Sequence, residues 1–193
     1  MVEMRFWNNP RVLFFAIILL LAGVLASGYF FLNQPVTTVI LVRHAEKNVE
    51  PGNNNPSLSP AGQARAQELT HVLSSTGISA IYASQYLRTQ QTAQPIANQL
   101  GLPVNQIDSG NTTELIRRIR CNHRGAVVFV VGHNNTVPAV IAGLGGGNLP
   151  IIPETEYDNL FVVTVSRFEK ARVVKLKYGS QIPATSDQQL RNN

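Results

Sequence analysis

Residues 36–47 read Val36-Thr37-Thr38-Val39-Ile40-Leu41-Val42-Arg43-His44-Ala45-Glu46-Lys47. The first seven are β-branched or apolar with no polar alternation, the pattern of a strand buried on both faces as in a parallel sheet. The run then ends abruptly in a guanidinium and an imidazole. Ligands of open α/β sheets bind beyond the carboxyl ends of the strands, so this Arg-His pair is a candidate site.

The same arrangement recurs twice downstream. Ile78 to Ala83 is a short apolar run followed by Ser84-Gln85-Tyr86-Leu87-Arg88-Thr89-Gln90-Gln91-Thr92-Ala93, and Ala126 to Val131 is a run followed by Gly132-His133-Asn134-Asn135-Thr136-Val137-Pro138. Helical patterns separate these strands. Glu50 to Pro60, rich in Pro, Asn, Gly and Ser, is a loop. Ser59 is placed to cap a helix that has Pro60 at its first position and runs to Ser74. Leu87 to Leu100 is a second helix, stopped by Gly101 and Pro103. Asn111 to Arg120 and Thr136 to Leu144 are two more. Leu160 to Val165 and Ala171 to Tyr178 form a hairpin. Strands alternating with helices predict a three-layer α/β/α sandwich with a mainly parallel central sheet. In such a sheet the three strand ends, with Arg43, His44, Arg88 and His133, converge on one edge.

Toward the N-terminus, Val12 to Leu32 (VLFFAIILLLAGVLASGYFFL) carries no charge. About 20 apolar residues span a hydrocarbon core as a helix. Arg5 and Arg11 precede it and Arg43 is the next cation after it, so the positive-inside bias puts the N-terminus in the cytoplasm and the rest outside. Trp7 and Tyr29 suit the interfaces. A secretory signal is the competing reading, with Val24-Leu25-Ala26 as a cleavage site; the apolar run continuing through Leu32 favours an uncleaved anchor. The expected organisation is a cytoplasmic N-terminus and transmembrane anchor (or signal sequence) over 1–32, one catalytic-type domain over 33–179 and a flexible tail over 180–193. The location is membrane-anchored and extracytoplasmic, or secreted after cleavage.

Composition narrows the partners. The net charge of +5 favours anionic ligands in general. A nucleic-acid role would rest on that charge alone, without an aromatic-rich basic platform. Arg117, Arg118, Arg120 and Arg124 cluster, and read as a solvated helix face and its following turn. The single cysteine, Cys121, excludes an intramolecular disulfide and a Cys-based zinc site; entering a strand, it reads as a small buried residue.

The segments LVRHAEK, LSPAG, SQYLRTQQTA and VVGHNNTVP resemble, in content, order and spacing, the successive motifs of the histidine phosphatase superfamily, also called phosphoglycerate-mutase-like. The resemblance covers about Thr38 to Leu144 and implies that fold. It further implies that His44 is a nucleophile that becomes phosphorylated, with Arg43, Arg88 and His133 around the phosphoryl group. Elementary chemistry agrees. Neutral imidazole is a competent nucleophile near neutral pH. A transferring phosphoryl group spreads charge over three oxygens and needs fixed cationic donors, which arginine supplies as a permanently charged fork. No cofactor and no metal is expected, since no HExxH or carboxylate cluster is present.

An alkoxide leaving group also needs a proton. In the family the acid often follows the segment after the second-arginine helix, here Val104 to Gly110 and then Glu114. Asp108 is the candidate catalytic acid and Glu114 the reserve, although Asp108-Ser109-Gly110 is equally a turn in which Asp bonds its own backbone. If neither reaches the pocket, a phosphoramidate, whose leaving group is better, gains ground. The expected function is hydrolysis of a phosphomonoester, on a phosphorylated small molecule or phosphoprotein, through phosphohistidine at His44. The alternatives are a phosphohistidine protein phosphatase, a phosphoglycerate-type mutase and a non-catalytic membrane-tethered domain that binds phospho-ligands. The short Arg88 to His133 interval argues against a mutase, which carries a longer enclosing insertion there. Tyr157 and Asp158 are further candidates to line the pocket.

Overall fold

The computed structural model describes residues 10–167 and 170–179. The chain divides into two compact units at Pro35–Val36. The expected tail over 180–193, like Arg5 and Trp7, lies outside the described residues.

The first unit contains helix α1 (Pro10–Leu32). Its most apolar window has a mean hydropathy of 2.5 and none of it is buried, so it is long and apolar enough to cross a membrane. Apolar side chains point outward all round it, among them Phe14, Leu19, Leu25 and Phe30. A helix with no polar stripe has no face to give to water.

The second unit runs β1 (Thr37–Arg43), α2 (Pro60–Leu73), β2 (Ile78–Ser84), α3 (Leu87–Leu100), β3 (Val104–Ile107), α4 (Thr112–Asn122), β4 (Val127–Gly132), α5 (Thr136–Gly143), β5 (Asn159–Val165) and β6 (Arg172–Lys177). The six strands form one mixed sheet in the order β3-β2-β4-β1-β5-β6. β3, β2, β4 and β1 are mutually parallel, and β5 is antiparallel to both β1 and β6. Both faces are covered. Alternate residues of β1 point to opposite sides: Ile40 and Val42 pack with Leu69, Leu73 and Ile96 of α2 and α3, while Val39 and Leu41 join Leu115, Ile119, Val137 and Ile141 of α4 and α5. This burial on two sides is why the strand reads as a continuous apolar run.

Local chemistry sets the helix entries. Ser59 caps α2 by accepting the Gly62 N–H at 3.2 Å, with Pro60 at the first turn. α3 ends on Gly101, whose φ of 66° is the left-handed conformation glycine adopts without strain. Gly62 sits where a Cβ would fall 2.1 Å from the Glu46 carbonyl oxygen, so the start of α2 lies directly against the backbone that follows His44.

Two elements differ from the sequence reading. β3 was expected only as the segment before Asp108. It has four residues with Asn105-Gln106 at its centre and pairs only with β2 at the sheet edge, too brief and polar to form a pattern. Cys121 is exposed, because α4 runs on to Asn122 rather than yielding to a strand. On α4, Arg117 and Arg118 pair with Glu114, Arg120 donates to the Gly143 carbonyl, and Arg124 donates to that of Arg120. The arginine cluster is thus engaged by its own helix and its neighbours.

Candidate active site

β2, β4 and β1 lie side by side and parallel, so their carboxyl ends open on the same edge. Arg43 is the last residue of β1 and His44 follows it, its backbone N–H donating to the Gly132 carbonyl at 2.9 Å. That bond extends the β1–β4 ladder one step past the strand and brings the two histidine-bearing turns together. The rings of His44 and His133 are 5.5 Å apart, edge to face. Arg88 projects from the first turn of α3, just past β2.

His44 is buried, and its Nδ1 lies 2.8 Å from the Ala45 carbonyl oxygen. A carbonyl only accepts, so Nδ1 carries the proton and the lone pair sits on Nε2. Burial pushes the His44 pKa down to about 3, and the positive charges of Arg43, His133 and Arg88 act in the same direction, opposed by the Ala45 carbonyl. His133 is lowered to about 4, again by burial first and then by Arg88 and Arg43. Both rings are therefore neutral at physiological pH. The Ser84 hydroxyl meets His133 Nε2 at 2.9 Å, and the His133 backbone N–H donates to Thr136 Oγ1 at 2.7 Å. Gly132 makes the second bond possible, since a Cβ there would lie 2.8 Å from Thr136 Oγ1.

The two arginines are held from behind. Arg43 is only 2% exposed. Its Nη1 donates to the carbonyls of Pro153 (2.7 Å) and Glu156 (3.3 Å), its Nη2 pairs with the Glu154 carboxylate, and its guanidinium lies 4.4 Å from the centre of the Tyr157 ring. Arg88 lies 4.3 Å from the centre of the Tyr86 ring, and burial lowers its pKa from the usual arginine value. In both residues Nε is buried and has no protein acceptor. Buried donors normally find partners, and two such donors on positive groups beside two neutral imidazoles make a cradle for a tetrahedral anion. An open groove of about 310 Å³ leads away from it, lined by Tyr86, Arg88, Ser109, His133, Asn134 and Asn135.

Arg43, His44, Arg88 and His133 therefore gather in one place. Asp108 does not join them through a hydrogen bond. It is exposed, its Oδ1 accepts the Gly110 N–H at 2.7 Å in the turn, and it borders a small cavity of about 20 Å³ behind His133. Glu114 is tied to Arg117 and Arg118, which hold its carboxyl down at about 2. Asp158 pairs with Lys177 at 2.6 Å, whereas Tyr157 joins the site, 6.1 Å from the His44 ring. Glu46 accepts from Arg65 Nε of α2 with both carboxylate oxygens at 2.9 Å and pairs with its Nη2 at 2.8 Å, and so anchors the turn after His44. His71 is exposed, and His123 bonds the Tyr82 hydroxyl at 2.9 Å. Among the described residues no group of three or more His, Cys, Asp or Glu gathers to hold a metal ion.

The residue missed by sequence reasoning is Glu154. It comes from the loop between α5 and β5, and its two oxygens meet Arg43 Nη2 and Asn134 Nδ2, the latter at 2.6 Å. No motif marks it; only its proximity to Arg43 across the fold does.

Residues 39–109 match the family model described as histidine phosphatase superfamily (branch 1). A sequence relative, the PE-PGRS family protein PE_PGRS11 of Mycobacterium tuberculosis, is 36% identical over 94 residues; the match covers 40% of this chain and 16% of the relative, so the chain spans under a fifth of that protein's length. Similar solved structures include the protein histidine phosphatase SixA complexed with tungstate (TM-score 0.61, 18% identical, 72% of this chain and 96% of that one). The mycobacterial glucosyl-3-phosphoglycerate phosphatase with inorganic phosphate is another (TM-score 0.59, 15% identical, 75% and 97%). A third is the phosphoserine phosphatase of Entamoeba histolytica with 3-phosphoglyceric acid (TM-score 0.55, 18% identical, 75% and 98%). At these identities the likeness is one of fold.

Proposed function

We propose that the chain is a member of the histidine phosphatase superfamily, whose model its residues 39–109 match, and that it hydrolyses phosphomonoesters through a phosphohistidine on His44. The observation that carries this reading is the pair of buried, unpartnered Nε donors of Arg43 and Arg88 beside an imidazole whose lone pair is on Nε2. Nε2 of His44 attacks phosphorus as the ester P–O bond breaks. Arg43, Arg88 and His133 hold the equatorial oxygens, whose charge is spread in the transition state. Water then attacks phosphorus, and the P–N bond breaks to return the neutral ring. The groove beside Arg88 and Asn134 takes the leaving group and admits water, which favours hydrolysis over transfer back to the substrate.

A second reading has its own support. Asp108 is committed to its turn and Glu114 to two arginines, so neither expected acid is bonded to the cradle. A phosphoramidate leaves with less need of a proton, and a phosphohistidine protein substrate would fit. For location, the uncharged stretch 12–32 of α1 and Arg11 just before that stretch support an anchor with the domain outside the cytoplasm, or a cleaved signal.

One experiment tests activity and location together. Intact cells expressing the full chain are given a membrane-impermeant aryl phosphate, beside cells expressing His44→Ala. The wild type is expected to release phosphate and to yield an acid-labile phosphoprotein; the variant is expected to do neither. Release only after lysis would overturn the location. No release before or after lysis would remove the enzyme reading and leave a phospho-ligand-binding domain.

A further inference from the structure

We propose that Glu154 is the catalytic residue that exchanges protons with the leaving oxygen and the attacking water; this rests on the phosphatase reading above. Cleavage of an alkyl ester at His44 calls for an acid within reach of the leaving atom, a task a carboxyl group suits. The carboxylates expected from the sequence are engaged elsewhere: Asp108 in its turn and Glu114 with two arginines. Glu46 is locked to Arg65, and Glu156 and Asp158 bind Lys177. Among the described residues, Glu154 is the carboxylate that bonds to side chains of the site itself.

Its surroundings suit the task. Oε2 pairs with Arg43, and Oε1 accepts from Asn134, the residue after His133 and part of the groove that receives the leaving group. The field of Glu154 also reaches Arg88 and Tyr157. Unlike Arg43, the Glu154 side chain is 69% exposed, so it stands at the mouth with access to solvent protons. The loop backbone around it is fastened by the bonds from Arg43 to Pro153 and Glu156. Glu154 is thereby delivered on a short, anchored segment rather than a loose one.

The steps balance. In the free enzyme the Glu154 carboxyl pairs with Arg43. A phosphoryl dianion entering the cradle competes for Arg43 and releases that carboxyl, which acts in its protonated form with the proton drawn from solvent. As His44 Nε2 bonds to phosphorus and the P–O bond breaks, the electron pair leaves on oxygen, and the Glu154 proton goes to that oxygen to give the alcohol. Water then attacks phosphorus, its proton passes to the Glu154 carboxylate, and the pair of the P–N bond returns to Nε2.

The test is leaving-group dependence in the full-length protein. The kcat/KM of Glu154→Gln is compared with wild type on p-nitrophenyl phosphate, whose phenolate leaves without a proton, and on glycerol phosphate, whose alkoxide does not. Gln keeps one acceptor oxygen for Arg43 and turns its amide NH2 toward Asn134, whose own amide can flip to accept, and the position is exposed, so folding is expected to survive. The expected result is a fall on the order of 100-fold on glycerol phosphate, little change on the aryl ester, and loss of one limb of the pH profile for the alkyl ester. Equal falls on both esters would mean that Glu154 merely orients Arg43, and would overturn the proposal. No fall on either, or a wild type that cleaves aryl but not alkyl esters, would overturn it too. Trapping of phosphohistidine on His44 in the same samples keeps the readings apart: its absence sinks the phosphatase reading, whereas its presence with a flat leaving-group response sinks only the role of Glu154.

Discussion

Arg43 is buried yet spends every outward-facing nitrogen on one loop: Nη1 on two carbonyls, Nη2 on Glu154, and its flat face on Tyr157. Nε alone is left over. A lysine there would supply a charge but no fork, and could not reach the loop and the phosphoryl group together. Arg43→Lys is therefore expected to lower kcat/KM on an aryl phosphate by roughly 100-fold, in line with loss of one transition-state donor; a variant within a few-fold of wild type would mean that Arg43 serves the loop alone. This side chain also marks the limit of what the sequence reveals. Arg43, His44, Arg88 and His133 are legible because each ends a buried strand, follows directly on one or opens the next helix. Glu154 follows neither. Its relation to Arg43 spans more than half the domain, and nothing in the local pattern at Pro153-Glu154-Thr155 announces it.

The elements explain why the motifs contain the residues they do. In Leu58-Ser59-Pro60-Ala61-Gly62, Ser59 caps α2, Pro60 opens it and Gly62 lets it touch the Glu46 carbonyl. Glu46 in turn grips Arg65 one turn further along α2. The segment is a bracket for the turn that carries His44, not a part of the chemistry. Gly62→Ala forces a Cβ against a backbone oxygen that has no side-chain freedom with which to yield. It is expected to destabilise the domain by about 1–3 kcal/mol, as overpacking does, and to reduce phosphoenzyme formation in the fraction still folded. Urea unfolding of the variant beside wild type checks it, and an unchanged midpoint would show that α2 can slide freely. Strands buried on both faces were legible from composition because burial on two sides leaves no polar residues within them. β3 was not, since an edge strand of four residues with polar centres shares its statistics with a loop.

For the whole molecule, the neutral histidines carry a cost in acid. The pKa of His44 is lowered to about 3 and that of His133 to about 4, both mainly by burial, and His123 shifts in the same direction. In the unfolded chain they titrate near about 6.5, so between these values the unfolded state binds more protons. Stability therefore rises with pH across that window; this contribution is present in full above about pH 6.5 and drains away as pH falls. Wild type is expected to lose thermal midpoint between pH 7 and pH 5, and a His44→Asn, His133→Asn double variant to lose clearly less. Equal losses would show that the two rings are not buried neutral.

The position of β1 in the sheet has a consequence for synthesis. Val39 of β1 pairs with Val128 on one side and Val163 on the other. Both partners are made long after it, so the strand that leads into His44 leaves the ribosome with no neighbour. Until β5 has emerged, Val39-Ile40-Leu41-Val42 is a sticky, unpaired edge of the kind that makes slow, non-local sheets prone to aggregate. Nascent chains ending before Asn159 are thus expected to remain protease-sensitive and to recruit chaperones, and the candidate site is assembled only when nearly the entire domain is present.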